Sequence, residues 1–334
     1  KPTVLVCTSG SALLNYYPAI AEAYYSEIPL VVISADRPNY KIDIGDGQTI
    51  QQNNVFGDHV IGFENLFQDV NHSTNSILES NLQRIIPDSF KTTELLDLQK
   101  KTQRDNERIL LDLFIKTLHN SKPVHLNVPL EEPLSEFSDQ PTITISNETK
   151  YPIKKDDLTV FNSPLIKDYK KIMILFGCAN KGILSESTID KLSSCDNIVV
   201  LKETTSNLNN TSFFGKIDQL IAPAELNENS SELFKKLKPE LLITVGGMII
   251  SKKIKSMLRT YEPTAHIHLG HNDAKDTFYK GVEHFKIDPN LFFKKSLEKL
   301  VSNYNYKKPW IDISKKRALA HKKYLNKLPF SDLK

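Results

Sequence analysis

Short apolar runs alternate with helical patterns along most of this chain. Residues 4–7 (VLVC) and 30–34 (LVVIS) have the length and composition of buried parallel strands. Between them, a Ser-Gly-Ser turn at 9–11 precedes a helical pattern from about 12 to 25. Strand, glycine turn, helix and strand form one βαβ unit. Because open α/β sheets bind ligands at the carboxyl ends of their strands, the turn at 9–11 is a candidate binding loop.

The alternation of strands and helices continues along the chain, before and after a predicted boundary between two domains. Residues 92–119 have the pattern of an amphipathic helix, and residues 123–129 predict another strand. Residues 131–150 are rich in Pro, Ser, Thr and acidic residues, which is typical of an interdomain linker. Further strands are predicted at 171–176, 197–201, 241–245 and 266–269, and further helices at 183–192, 251–259, 290–301 and 310–325. The pattern therefore predicts an α/β fold with two Rossmann-like parallel-sheet domains.

Composition and charge argue against several classes of protein. The chain has 334 residues, a net charge of +3 and lysines spread along its length, so no nucleic-acid footprint is visible. No apolar run approaches the roughly 20 residues of a membrane helix, so membrane insertion is not predicted. The three cysteines, Cys7, Cys178 and Cys195, are widely separated and suggest no disulfide framework or zinc site. A reducing, cytoplasmic location is the simplest interpretation.

The sequence contains no complete motif for a dinucleotide-binding site or for a metal site. Neither FGCANKG (176–182) nor VGGMIIS (245–251) matches the GxGxxG fingerprint of nicotinamide dinucleotide sites. His266, His268 and His271 lie close together, but no carboxylate or cysteine pattern completes a metal site, and none is predicted. His125 is interpreted as a hydrogen-bonded residue of a strand, with Asn127 on the same side.

Four motifs occur in a characteristic order: TSGSALLNYYPAIAEA from Thr8, ISADRP from Ile33, GDGQTIQQ from Gly45 and FGDHV from Phe56. Together they resemble the pyrimidine-binding domain of the thiamine-diphosphate enzymes. Within that superfamily they most closely resemble the synthases that form 2-succinyl-5-enolpyruvyl-6-hydroxy-3-cyclohexene-1-carboxylate in menaquinone biosynthesis. The resemblance is close over this region and looser over the rest of the chain.

The resemblance implies an enzyme whose chemistry is carried by a cofactor. The family uses thiamine diphosphate and Mg²⁺ to decarboxylate 2-oxoglutarate and to add the product carbanion to isochorismate. Its cofactor lies between domains of two subunits, which implies a homodimer or homotetramer. The family's cofactor-activating glutamate and its Mg²⁺-binding motif have no counterpart in this sequence. No catalytic residue is therefore assigned here, and the chain alone is expected to be inactive.

The resemblance also implies a division of the chain. Residues 1–130 would be the C-terminal part of the pyrimidine-binding domain, 131–150 a linker, 151–305 the central domain, and 306–334 a connection toward a diphosphate-binding domain. The sequence opens without Met and enters a strand by Val4. We therefore interpret the chain as an internal piece of a longer protein.

The family's cofactor-binding positions in the first motif fall on Ser9, Gly10 and Asn15. The alternative roles are a helix cap for Ser9 and an interior polar residue for Asn15. The family's substrate-contacting loop glutamine matches Gln48. Gly47 precedes it here, where the family often has asparagine, so one possible side-chain contact is missing.

Three basic residues are candidate substrate ligands. Arg37 has the geometry to bind a carboxylate bidentately, or it shapes the turn beside Asp36. Lys252 matches a substrate-binding lysine of the family, and Lys253 replaces an arginine, which exchanges a planar fork for a point charge. Both lysines lie at a predicted helix start, where they oppose the helix dipole unless an anion offsets them.

Three other functions remain open at this point. A different thiamine-diphosphate enzyme, such as acetolactate synthase or a 2-oxo acid decarboxylase, is disfavoured by ADRP followed by the GDGQTI loop. A non-enzymatic α/β regulatory module is disfavoured by the intact motif loops. Nucleotide-binding electron transfer would need the glycine fingerprint that is absent.

Overall fold

The computed structural model describes residues 2–68, 92–130, 155–162, 166–300 and 304–330. The chain divides into two compact units, Lys1–Ile153 and Lys154–Lys334. Each unit contains one parallel β-sheet with helices packed against it, which confirms the predicted α/β class with two parallel sheets. The predicted linker at 131–150 lies outside the described residues.

The first unit is built on a four-stranded sheet with the strand order β1-β2-β4-β3. Its elements are β1 (Thr3–Cys7), α1 (Tyr17–Tyr25), β2 (Leu30–Asp36), β3 (Phe63–Asn65), α2 (Thr92–Asn120) and β4 (Val124–Pro129). Every described strand pair in this sheet is parallel, so the carboxyl ends of the strands share one edge. Ser34 of β2 lies in register with Asn127 of β4 at that edge.

Strand β1 is less buried than its apolar sequence predicts. Leu5 and Cys7 pack against the hydrophobic cluster that includes Ile20 of α1. Val4 and Val6, on the other face of the strand, are 44% and 65% exposed. The reason is positional: β1 is an edge strand that pairs with β2 alone, and no described element covers its second face. The prediction that residues 4–7 form a strand is confirmed, and among the described residues only one of its faces is covered.

The first helix also begins later than predicted. Residues 13–16 form a 3₁₀ turn, and the α-helix starts only at Tyr17, with Pro18 in its first turn. Because proline has no N–H, it fits the first turn of a helix but not the interior of one starting at residue 12. The aromatic ring of Tyr17 then packs on Phe56, and its hydroxyl lies 3.0 Å from Nδ1 of His59, so the FGDHV motif holds α1.

The second unit is built on a five-stranded parallel sheet with the order β6-β5-β7-β8-β9. Its strands are β5 (Ile172–Phe176), β6 (Ile198–Lys202), β7 (Leu241–Val245), β8 (Ala265–Leu269) and β9 (Glu283–Phe285). Its helices are α3 (Glu186–Ser194), α4 (Ile217–Glu225), α5 (Ser230–Leu237), α6 (Lys252–Thr260), α7 (Pro289–Ser296) and α8 (Lys307–Leu325). Within the described ranges, no helix is both long and apolar enough to cross a membrane.

Two helices of this unit, α4 and α5, were not predicted. α4 contains Pro223, which removes one helical hydrogen bond and interrupts the pattern that indicates a helix. Tertiary packing compensates, since Ile217, Leu220 and Ile221 are buried in the same cluster as Trp310 of α8. The sheet core thus holds α4 and α8 side by side.

Candidate functional site

The glycine turn after β1 and the loop after β2 meet at the carboxyl edge of the first sheet. Gly10 has a left-handed φ of 87°, and a Cβ at this position would lie 3.1 Å from the carbonyl oxygen of Gln48. A contact that short is tighter than most Cβ atoms make, so the loop would have to shift slightly, and the positive φ already disfavours a side chain. The structure therefore brings Gly10 and Gln48, two of the predicted site residues, into direct contact.

The loop that carries Gln48 follows an irregular path. Asp43, Gly45 and Gln48 have positive φ values of 64°, 92° and 57°. Gln51 donates a side-chain hydrogen bond to the Asp43 carboxylate, and the Thr49 hydroxyl donates to the carbonyl of residue 46. These bonds fix the loop while the Gln48 side chain remains exposed to solvent.

A buried glutamine joins this loop to the turn after β1. Gln52 is 1% exposed, and its Oε1 accepts the backbone N–H of Gly10 at 2.8 Å. Its Nε2 donates to the carbonyl of Ala35 at 3.0 Å and to Oδ1 of Asn127 at 2.7 Å. One side chain therefore connects the turn after β1 with the ends of β2 and β4.

Ser34 and His125 extend this network into the sheet. The Ser34 hydroxyl donates to Oδ1 of Asn127 at 2.7 Å and lies 2.8 Å from Nε2 of His125. A hydroxyl has one proton, so Nε2 of His125 must be the donor to Ser34. This tautomer also leaves the buried, unpartnered Nδ1 of His125 as a bare acceptor, which costs less than an unpaired N–H. Burial lowers the pKa of His125 to about 4, so the ring is neutral at pH 7.

The network ends at the carboxylate of Asp36. Nδ2 of Asn127 donates to Oδ2 of Asp36 at 2.7 Å and to Oδ1 of Asn65 at 2.9 Å. Oδ1 of Asp36 accepts the backbone N–H of Arg37 at 2.8 Å, which turns the chain at the end of β2. The interpretation of His125 as a hydrogen-bonded strand residue is confirmed.

The other predicted residues of the first unit lie around this edge. Ser9 is buried next to Gly10, Asn15 is exposed on the 3₁₀ turn, and Arg37 is partly exposed after β2. Asn15 is exposed to solvent, and none of the contacts described above involves its side chain. These placements leave the roles of Ser9, Asn15 and Arg37 as predictions.

In the second unit, the two candidate lysines begin α6. Ser251 caps this helix by accepting the N–H of Ile254 at 3.1 Å, and Lys252 is exposed at the first helical position. Lys253 forms an ion pair with Glu225 of α4. The two adjacent lysines therefore differ, because Lys253 already has a carboxylate partner.

Backbone contacts hold the loop before α6 against the sheet. The N–H of Gly247 donates to the carbonyl of Cys178 at 2.7 Å, and the N–H of Cys178 donates to the carbonyl of Met248 at 3.1 Å. A Cβ at Gly177 would lie 2.3 Å from the carbonyl oxygen of Gly247, so only glycine fits there. The glycines of these two loops serve a close backbone crossing.

The histidines of β8 bind a threonine rather than forming a metal site. Oγ1 of Thr244 lies 3.0 Å from Nε2 of His266 and 3.0 Å from Nδ1 of His268. Burial lowers the pKa of both histidines to about 4. His271 pairs separately with Asp156 at 3.0 Å. Across the described ranges, no group of three or more His, Cys, Asp or Glu residues has the arrangement needed to hold a metal ion.

Sequence reasoning missed Gln52, the residue that connects the loops. The predicted Gln48 stands four positions earlier in the same motif, and nothing in the local pattern shows which glutamine turns inward. A usable signal was present in the strands, since Ser34 and Asn127 are polar residues inside apolar runs. Such residues need buried partners, and a nearby amide side chain can supply them.

Comparison with known proteins finds a family model that matches the start of the chain and relatives that match its full length. Residues 1–60 match the family model described as thiamine pyrophosphate enzyme, N-terminal TPP binding domain. The chain is 41% identical to the 2-succinyl-5-enolpyruvyl-6-hydroxy-3-cyclohexene-1-carboxylate synthase of Christiangramia forsetii, covering 100% of this chain and 56% of that protein. It is 42% identical to the synthase of the same name from Flavobacterium johnsoniae, covering 100% of this chain and 54% of that protein.

The chain spans about half the length of the curated relatives that it matches. Among solved structures, it resembles the X-ray structure of a thiamin diphosphate-dependent enzyme from Mycobacterium smegmatis, with a TM-score of 0.54 and 11% sequence identity. That match covers 90% of this chain and 52% of the other chain. At this identity the likeness supports the fold alone.

Proposed function

The chain belongs to the family of the 2-succinyl-5-enolpyruvyl-6-hydroxy-3-cyclohexene-1-carboxylate synthases, and we propose that the whole protein catalyses that family's reaction. The reaction is the thiamine-diphosphate-dependent decarboxylation of 2-oxoglutarate followed by addition of the product carbanion to isochorismate, in menaquinone biosynthesis. The observation that supports this proposal is 40–42% identity to three such synthases over the full chain.

The chemistry of the donor set at the first sheet suits the pyrimidine end of thiamine diphosphate. Ser9 offers a hydroxyl and Asn15 an amide, groups that both donate and accept hydrogen bonds as an aminopyrimidine ring requires. Gly10 keeps the turn free of a side chain, which lets a flat ring approach the backbone. We assign these three residues to holding the ring. When bound, thiamine diphosphate supplies a nucleophilic carbon and an electron sink that protein side chains lack.

The proposed substrates carry carboxylates, and the candidate substrate-binding side chains carry N–H groups that can donate hydrogen bonds to them. The backbone of Gln48 lies next to Gly10 and the residue is exposed, so its side-chain amide is suited to orient a substrate carboxylate close to the cofactor. Lys252 is exposed at the positive end of α6, where the helix dipole adds to its attraction for an anion. Lys253 would first have to exchange Glu225 for the substrate. Arg37 remains a candidate for bidentate binding of a carboxylate.

The remaining parts of the proposal concern the whole protein. We assign Mg²⁺ and the diphosphate to residues outside this chain, because the resemblance places their motif in another domain. We propose a homodimer or homotetramer, since the family shares its cofactor site between subunits. We propose the cytoplasm, which fits the free thiols of Cys7, Cys178 and Cys195.

The test uses the whole protein with thiamine diphosphate and Mg²⁺. CO₂ release from 2-oxoglutarate is followed with and without isochorismate, and the organic product is identified by mass spectrometry. Formation of the cyclohexene carboxylate only when both substrates and the cofactor are present is the expected result. Turnover of pyruvate in place of 2-oxoglutarate would identify a sister decarboxylase or acetolactate synthase. Cofactor binding without any turnover would favour the regulatory module.

A further inference from the structure

A cavity of about 300 Å³ lies between α4 and α8 in the second unit. Its walls come from the start of α4 and from the second half of α8, and the lining residues include Lys216, Arg317, His321 and Lys322. The volume is at the lower end of the range typical of small-molecule sites. No predicted cofactor or substrate residue lines it.

The walls of the cavity are strongly cationic. Two lysines, one arginine and one imidazole line it, and no carboxylate of the described part of the chain does. Among the described residues, none of these four side chains forms an ion pair or a hydrogen bond. The carboxylate in the first turn of α4, Asp218, accepts a hydrogen bond from the Ser251 hydroxyl instead of lining the cavity. Cations gathered in this way repel one another unless an anion lies between them.

The start of α4 adds to this positive potential. Lys216 precedes the helix in a left-handed conformation (φ 53°) and provides no side-chain hydrogen bond to the first turn. The N-terminal end of a helix carries a partial positive charge and open N–H groups, which favour anions. Here that end borders the same cavity as the three permanently charged side chains.

The cavity is held open by packing rather than by the charged residues. Trp310 is fully buried, and its ring lies 6.2 Å from that of Phe214, just before α4. Tyr306 is 1% exposed, and its hydroxyl donates to the carbonyl of Leu237 at 2.5 Å. These contacts fix the start of α8 against the core of the second sheet, next to α4. Apolar contacts from Leu220 and Leu325 complete the cavity walls.

From this geometry we infer that the cavity between α4 and α8 is a binding site for a small molecule that carries two or more carboxylate or phosphate groups. A single inorganic anion would satisfy one or two of the four basic groups, whereas a multiply charged molecule reaches cations on both helices. The planar guanidinium of Arg317 is suited to bind one such group bidentately. Leu220 and Leu325 would contact the carbon skeleton. This inference does not depend on the proposed synthase activity.

The test measures binding directly, with the whole protein saturated with thiamine diphosphate and Mg²⁺. Equilibrium dialysis at low ionic strength uses radiolabelled tricarballylate, a tricarboxylate, and separately radiolabelled inorganic phosphate. The variants are Arg317→Gln and Lys322→Gln, and Lys316→Gln is the matched control. Lys316 lies on the same helix and loses the same charge, but it is exposed and does not line the cavity.

We expect one tricarballylate site per chain whose Kd rises at least tenfold in Arg317→Gln and several-fold in Lys322→Gln. In Lys316→Gln the Kd should change less than twofold. Equal weakening in all three variants would indicate diffuse attraction to a basic helix and overturn the inference. So would unchanged binding in both cavity variants, or binding of phosphate as tight as that of tricarballylate. Because Lys322 is exposed, Lys322→Gln tests the site even if Arg317→Gln fails to fold.

Discussion

The buried amide of Gln52 offers the sharpest test of how the first site is held together. Replacing it in Gln52→Leu keeps a side chain of similar size but removes every hydrogen bond that it makes. The N–H of Gly10 loses its acceptor at 2.8 Å, and the Ala35 carbonyl and Asn127 Oδ1 lose donors at 3.0 and 2.7 Å. The Ser34 hydroxyl oxygen loses a longer contact from Nε2 at 3.3 Å. Asn127 keeps the Ser34 hydroxyl as a partner.

The expected cost follows from these contacts. A buried N–H without a partner costs about 1–3 kcal/mol, and each lost hydrogen bond whose other partner is compensated costs about 1 kcal/mol. Leucine returns part of this through its apolar surface. The sum is a destabilisation of about 3 kcal/mol, or roughly a 100-fold change in the folding equilibrium of the first unit.

The measurement combines urea unfolding of the whole protein with hydrogen exchange of the peptide that contains Gly10. The free energy of unfolding should fall by about 3 kcal/mol, and the Gly10 amide should exchange faster. Gln51→Leu is the control, because Gln51 is exposed and its side chain, among the described residues, bonds only to Asp43 on its own loop. A loss under about 0.5 kcal/mol in Gln52→Leu, or an equal loss in the control, would refute the assigned role.

Three further predictions concern the same protein. Gly10→Ala should weaken thiamine diphosphate binding at least tenfold, measured by titration, because its Cβ would lie 3.1 Å from the Gln48 carbonyl in a left-handed turn. Burial lowers the pKa of His125 from 6.5 to about 4, so the unfolded state binds a proton first as pH falls. Between pH 6.5 and 5 the wild type should therefore lose about 1.5 kcal/mol of stability more than His125→Gln, measured by urea unfolding. Lys252→Gln should raise the KM for 2-oxoglutarate or isochorismate about tenfold in steady-state kinetics, whereas Lys253→Gln should raise it less because Glu225 already holds that lysine.

The sequence predicts regular elements well where one pattern dominates. The helix predicted at 92–119 is observed as Thr92–Asn120, and the strand at 241–245 has the predicted bounds. The helix has a clear helical period, the strand is a short continuous apolar run, and neither contains a breaker. By contrast, α4 contains Pro223 and β9 has three residues, so neither leaves a clear periodic signal. These elements are formed by tertiary packing, which local propensity does not report.

The location of the site could be predicted from the sequence, but the side-chain contacts within it could not. The carboxyl edge of parallel strands and the glycine turn indicated where a ligand would bind. Which glutamine is buried depends on the left-handed backbone at Asp43, Gly45 and Gln48, which decides the direction of every later side chain in the loop. The pairing of Lys253 with Glu225 likewise requires α4 and α6 to lie side by side. A sequence pattern holds no such long-range information.

The hydroxyl of Thr244 is shared between the buried imidazoles of His266 and His268. Substitutions at these three positions of the second sheet therefore depend on one another during evolution. Valine at 244 would match the shape of threonine but would leave His266 and His268 each without this partner. An apolar residue at either histidine would likewise remove one of the two imidazoles that the hydroxyl serves. Each single substitution thus passes through an unfavourable state, whereas a joint replacement by apolar side chains avoids it. We expect these positions to be exchanged as a set, so that the three residues are inherited as one unit.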